Sequence, residues 1–311
     1  MDETIKHTVF SKKIDKYRAL ALIKKIITTF FLITMLIGLS YLILYPFIVK
    51  LSSAFMSVED TYDSTVGFIP RHPTLDNIRY VLNNTDFLKA IWTTFALSLI
   101  VAVGSVISSS LIGYGLGKFK FKGSTAITAL VVLVLLIPPQ TILIPMYAHF
   151  RYFLNGAIKL TDTVWPMVFL SFTSFGFRGG LYVLIMRQVY KGIPNELSEA
   201  AAVDGVGAFK TFLYVMLPLS VPMLTVVFLF SFSWQWTDTF YSSTFYSSVK
   251  LLPNIVTVLQ NANNIGLGGG DYTKSILLNT VSLMCVIPLL LLFAVVQKRF
   301  VSGIESSGIV G

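Results

Sequence analysis

The chain has 311 residues, 54% of them hydrophobic and 13% charged, with a mean hydropathy of +0.74, which is too apolar for a soluble domain of this length. The net charge of +9 comes from 24 Lys and Arg against 15 Asp and Glu. Those basic residues flank apolar runs instead of covering a soluble surface, which argues against nucleic-acid binding, and a lone cysteine, Cys285, excludes a disulfide framework.

Six stretches are long enough to span a bilayer, which takes about 20 apolar residues each. They fall near Ile26–Val49, Ile91–Leu116, Ala126–Ala148, Val164–Leu184, Phe212–Ser233 and Ile276–Val296. The expected fold is therefore all-α, a polytopic membrane protein with six transmembrane helices. The first stretch is too long for a cleavable signal and lacks a small-x-small site. With both termini placed inside, the inner segments hold 15 of the 24 Lys and Arg, while eight acidic residues fall outside. That asymmetry is the one expected of a protein inserted with its basic loops in the cytoplasm, so both termini are expected there and the bilayer is the first partner.

In chain order, residues 1–25 form a basic cytoplasmic tail expected along the inner surface, residues 26–297 the six-span domain and residues 298–311 a cytoplasmic C-terminal tail. The first outer loop carries Phe68-Ile69-Pro70 and then Thr74-Leu75-Asp76-Asn77. The run Gly113-Tyr114-Gly115-Leu116-Gly117-Lys118 fails as a phosphate loop: the first glycine is misplaced and no Ser or Thr follows the lysine. Its glycines suit close packing of helices instead. The second span ends in Gly117-Lys118-Phe119-Lys120-Phe121-Lys122-Gly123, and the third contains Pro138, Pro139 and Pro145. Each proline removes a helical hydrogen bond, which suits either plain kinking or the lining of a translocation path.

Between Pro194 and Pro218 the chain turns polar, with a helix expected over 194–210. Pro194 suits a first helical turn, Glu196 and Glu199 complement the macrodipole, and Ala200, Ala201 and Ala202 let another surface approach closely. Gly205 tolerates the positive φ that ends or bends a helix. Neither Glu199 nor Asp204 has a basic residue three or four positions away. Beyond the fifth span, Trp234, Trp236, Phe240, Tyr241, Phe245 and Tyr246 could stack on sugar rings or form an ordinary interfacial belt. Asp238 is the acidic residue nearest to membrane depth, and the glycine-rich stretch 261–271 contains Asn263 and Asn264.

No catalytic constellation is present in this pattern. His7, His72 and His149 are scattered, with no HExxH or Cys/His cluster, so no metal site is expected. The spans hold no run of buried carboxylates of the kind a proton relay uses, and no nucleotide-binding loop. The chain is expected to be no enzyme, to bind no cofactor, and to receive its energy from a partner.

Glu199-Ala200-Ala201, two residues, Asp204-Gly205, then Val215, Leu217 and Pro218, roughly a hundred residues from the C-terminus, resembles the cytoplasmic coupling loop of permease subunits in bacterial ATP-binding-cassette (ABC) importers. The Thr74-Leu75-Asp76-Asn77 phrase, the 117–123 turn and the partial match Trp236-Thr237-Asp238-Thr239-Phe240 are similar to the same family. The ending Gln297-Lys298-Arg299-Phe300-Val301-Ser302-Gly303 through Gly308-Ile309-Val310-Gly311 resembles its carbohydrate-uptake, MalG-like group. Glu305-Ser306-Ser307 departs from the maltose-type ending and is closer to permeases for larger oligosaccharides.

The resemblance implies a type I importer transmembrane domain that docks through Glu199, Ala200, Ala201, Asp204 and Gly205 on a cytoplasmic ATPase dimer, with ATP and Mg bound there. It implies a second, homologous permease, an external solute-binding protein and a sugar substrate, with Trp236, Asp238, Asn263 and Asn264 as candidate contacts to substrate or binding protein. A permease for a non-sugar solute and an ion-coupled secondary carrier are the alternatives; a membrane-embedded enzyme would need clustered polar residues at membrane depth.

Overall fold

The structure, a computed structural model, describes residues 2–176, 178–261 and 271–308. Among these it is helical throughout, with no strand and a lone bridge between Phe153 and Ile158. Helices are what an apolar chain must form where lipid offers no partner for backbone N–H and C=O groups. In order they are α1 (Asp2–Phe55), α2 (Val58–Tyr62), α3 (Asp76–Asn84), α4 (Phe87–Lys118), α5 (Ser124–Leu136), α6 (Pro139–Arg151), α7 (Trp165–Phe172), α8 (Gly179–Gly192), α9 (Glu196–Val203) and α10 (Ala208–Thr211). A π-helical turn (Phe212–Met216) follows, then α11 (Leu217–Leu219), α12 (Val221–Trp236), α13 (Phe240–Phe245), α14 (Leu252–Asn261) and α15 (Asp271–Gly308).

Three unbroken helices are long and apolar enough to cross a membrane, namely Ala21–Phe55, Phe87–Lys118 and Thr273–Gln297. They contain the first, second and sixth expected spans. Helix α1 runs on without a break at residue 25 and α15 without one at residue 297, so neither tail is set off from its span by a turn.

The other three expected spans differ from straight helices. The third is two helices bent by 100°. Ile137 and Pro138 each precede a proline, which pushes a residue out of the α region, and both are extended (ψ 121° and 129°). The fourth, expected as continuous over Val164–Leu184, is α7 and α8 separated at 173–178, where Ser174 has φ 57°. The fifth, expected over Phe212–Ser233, is bent by 80° between 208–219 and 221–236; Pro218 and Pro222 remove ladder hydrogen bonds on either side of Ser220.

Packing fixes relative directions. Glycines 113 and 117 bring α4 against α8: a Cβ on Gly113 would lie 2.7 Å from Met186 Cβ, and one on Gly117 2.9 Å from the Arg187 carbonyl oxygen. Ser108 Oγ donates to the Ser171 carbonyl at 2.7 Å. Rising numbers in α4 thus meet rising numbers in α7 and α8, so the broken fourth segment runs parallel to α4. By contrast, Ser231 Oγ donates to Ser105 Oγ at 2.9 Å and Phe232 rings against Phe95, so α12 is antiparallel to α4. Asn279 near the start of α15 meets Lys50 and Ser53 near the end of α1, so that pair is antiparallel too. These directions match a chain that crosses back and forth six times, and the protein is a multi-pass membrane protein. The apolar side chains of α1 from Leu22 to Leu51 are largely exposed, a face left to lipid or to another subunit.

Candidate functional site

At the end of the bundle where α4 stops, Ile193 is extended (ψ 133°) because Pro194 follows it. Helix α9 then begins at Glu196, so Pro194 lies just ahead of the helix and not in its first turn. Glu196 and Glu199 occupy that turn. The helix closes with a paired cap: Val206 N–H donates to the Ala201 carbonyl at 2.8 Å and Gly205 N–H to the Ala202 carbonyl at 3.0 Å. This is a Schellman motif, whose reversing residue needs positive φ, and Gly205 supplies it at 74°.

The cap leaves a short helix standing proud. Of the five residues singled out, Ala201 alone is buried against the chain itself; Glu199, Ala200, Asp204 and Gly205 are exposed, as is Val203 at 87%. Neither Glu199 nor Asp204 takes part in the ion pairs found among the described residues. The loop is held at both ends. Lys118 Nζ donates to the Ile193 carbonyl and, at 2.9 Å, to Asn195 Oδ1. Tyr114 Oη donates to the Ala208 carbonyl at 3.3 Å.

A second feature lies between α4, α7, α8 and α12: a cavity of about 80 Å³ whose walls include Ser105, Arg178, Tyr182, Ser231, Trp234, Gln235 and Asp238. The Arg178 guanidinium lies over the Trp234 ring, an attraction of cation and ring quadrupole. Gln235 Nε2 is buried without a hydrogen-bond partner among the described residues. Asp238 caps α13, accepting from Tyr241 N–H at 3.2 Å, Ser242 N–H at 2.8 Å and Ser242 Oγ at 3.0 Å. Burial pushes its carboxyl above the ordinary range against those bonds, which lower it. The volume is below the roughly 300–1,000 Å³ of small-molecule pockets and suits water or a single polar group.

Asp238 therefore reaches the cavity, whereas Trp236 is buried among α12 and α15 and donates its indole N–H to the Cys285 carbonyl at 2.9 Å. Trp234, two positions earlier and on another face of the helix, lines the cavity instead. Asn263 and Asn264 lie outside the described residues. Arg178 and Gln235 were not singled out from sequence, and Trp234 was named only among the aromatics beyond the fifth span. Arg178 had a legible signal, since an ionisable residue inside an apolar run points to function by default. Among the described residues no group of three His, Cys, Asp or Glu could hold a metal ion.

The family described as "Binding-protein-dependent transport system inner membrane component" matches residues 109–305, and the chain belongs to that family. It is 25% identical over 295 residues to the galactooligosaccharides transport system permease protein GanQ of Bacillus subtilis (strain 168), covering 93% of this chain and 98% of the relative. It is 32% identical over 249 residues to the alpha-glucoside transport system permease protein AglG of Rhizobium meliloti (strain 1021), covering 78% and 62%. A crystal structure of a bacterial ABC transporter involved in the import of the acidic polysaccharide alginate contains a chain that superposes with a TM-score of 0.67 at 19% identity, over 86% of this chain and 94% of that one. That likeness shows that the two chains share a fold.

Proposed function

We propose that this chain is one of the two permease subunits of an ATP-driven importer for sugars, with oligosaccharides as the cargo class. The observation that carries this reading is α9, a capped eight-residue helix held at both ends to the membrane helices, on which Glu199 and, at the C-cap, Asp204 are exposed and lack an ion-pair partner among the described residues. The relatives' names, for galactooligosaccharides and alpha-glucosides, support a carbohydrate cargo, as does the C-terminal resemblance.

On this reading α9 faces the cytoplasm and seats on one subunit of an ATPase dimer, which binds ATP and Mg; the chain itself holds no cofactor and performs no covalent chemistry. Closure of the ATPases moves α9, and the membrane helices pass between inward-open and outward-open states as packed units. A homologous permease supplies the other half of the path, and a solute-binding protein delivers the sugar outside, where the 261–271 segment and the aromatics near Trp236 and Asp238 would meet it.

Uptake of a radiolabelled oligosaccharide panel in cells with and without the intact chain tests the reading. Uptake should fail on ATP depletion and persist when a protonophore is added with ATP held constant. The reverse pattern overturns the importer reading in favour of an ion-coupled carrier. Reporter fusions at Lys122 and Gly205 should read cytoplasmic and one at Asn83 external; an external Gly205 would equally sink it.

A further inference from the structure

Tyr190, near the end of α8, is fully buried. Its hydroxyl lies 2.5 Å from Ser110 Oγ on α4 and 3.1 Å from Ser220 Oγ. Ser110 and Ser220 are each 1% exposed, so the three hydroxyls form a closed set away from solvent. Their donors can be assigned. Ser220 Oγ donates to the Leu217 carbonyl at 2.9 Å, so it accepts from Tyr190; Tyr190, having given its one proton, accepts from Ser110. The chain of bonds runs in one direction from α4 through α8 to the Leu217 carbonyl.

Its two ends differ mechanically. Ser110 belongs to α4, which the glycine contacts at 113 and 117 lock to α8 almost backbone to backbone. Ser220 is the single residue between α11 and α12, where the helix axis turns by 80°. The segment before it is already loosened by the π-helical turn 212–216 and by Pro218, features that mark hinges and bends in helices. Tyr190 also packs on Tyr114 and Phe212 at 5.6 and 6.2 Å, and Tyr114 is the residue that holds the far end of the α9 loop through Ala208.

We infer that Tyr190 is the positioning residue that couples the α9 loop to the bend at Ser220. Its hydroxyl pins the bend of α12 to the rigid α4–α8 pair in the conformation seen here, and movement of α9 must break that bond for α12 to swing. The inference rests on the reading of α9 as the ATPase-docking helix. A single net hydrogen bond shifts a two-state equilibrium about fivefold.

The test uses the uptake complex isolated through a tag on this chain and reconstituted in lipid nanodiscs, with MgATP hydrolysis measured in the absence of any binding protein. Tyr190→Phe keeps the ring and removes the hydroxyl. It should raise basal hydrolysis per assembled complex roughly fivefold. Ser220→Ala should do the same, and the double variant should add nothing to either, because both cut the same Tyr190–Ser220 bond across the bend. Basal hydrolysis equal to wild type in both single variants overturns the inference. So does an additive double variant, or a loss of assembled complex with unchanged specific activity, which is the signature of a merely structural tyrosine. If the wild-type chain co-purifies with no ATPase, the underlying importer reading fails instead, and that outcome is seen before any variant is made.

Discussion

At the end of the bundle where α4 begins, several acidic side chains are engaged, though Glu59 is in none of the ion pairs found among the described residues. Asp63 pairs with Arg71 at 3.1 Å, Asp60 accepts from the His72 ring and backbone, and Asp86 pairs with Lys250. Asp162, at φ 64°, accepts from the N–H groups of Ser247 and Ser248 and from Ser247 Oγ at 2.7 to 3.0 Å, with Lys159 alongside. At the opposite end, Glu199 and Asp204 have no such partner among the described residues. Exposed pairs contribute under about 1 kcal/mol, so the difference concerns placement more than stability. One end uses its charges to hold loops that are distant in sequence in a fixed register; the other shapes a helix by its cap and leaves the charges facing outward.

Glu199→Lys challenges that contrast most severely. If Glu199 meets a cation in a partly buried interface, reversing it costs about 3–5 kcal/mol; uptake should fall more than a hundredfold and co-purified ATPase should be lost, with the permease still in the membrane. Near-normal uptake would put Glu199 among the merely solvated acids. Gly205→Val comes next. No neighbouring atom lies within 4 Å of a Cβ built there, so crowding is not the cause. A β-branched residue at φ 74° strains the backbone by roughly 2–3 kcal/mol, and uptake should drop at least tenfold as α9 changes its angle. Gly205→Asn, which accepts this region more readily, should retain more activity, and equal loss in both would point away from backbone strain.

Asp162→Ala removes charge-assisted hydrogen bonds worth about 1.5 kcal/mol in sum. It should speed proteolytic nicking near residues 246–250 while leaving ATPase binding unchanged. The pH dependence has a definite sign. Hydrogen bonds from Ser247 and Ser248 hold the Asp162 carboxyl well below the usual range, so the clamp's stabilisation is complete above the ordinary carboxylate value near pH 4. It is lost as pH falls further, through the depressed value in the folded protein. Nicking of the wild type should therefore rise below about pH 4, whereas Asp162→Asn should lack that acid-linked rise. Lys250→Ala is the mildest, with a thermal shift corresponding to less than about 1 kcal/mol.

Much of this molecule is legible one short segment at a time. Runs of apolar residues, the Pro138-Pro139 break, the close helix contact at Gly113 and Gly117, and the reversal at Gly205 all follow from sterics within a few residues or from the presence or absence of a Cβ. The break of the fourth span at 173–178, where no proline stands, and the start of the fifth straight helix at Val221, nine residues later than expected and between Pro218 and Pro222, were not legible, because neighbouring helices decide which bend is kept. Nor was it legible that Trp234 faces the cavity while Trp236 packs on α15, or that Ser110, Tyr190 and Ser220 meet. In water an apolar stripe reveals which side of a helix turns inward. In lipid both sides of α12 are apolar, so composition leaves its rotation undetermined. Length and hydropathy therefore determine that these segments become membrane helices, while their azimuth, and with it every contact between residues far apart in the chain, is decided by hydroxyl partners and close packing that exist only once the helices are assembled.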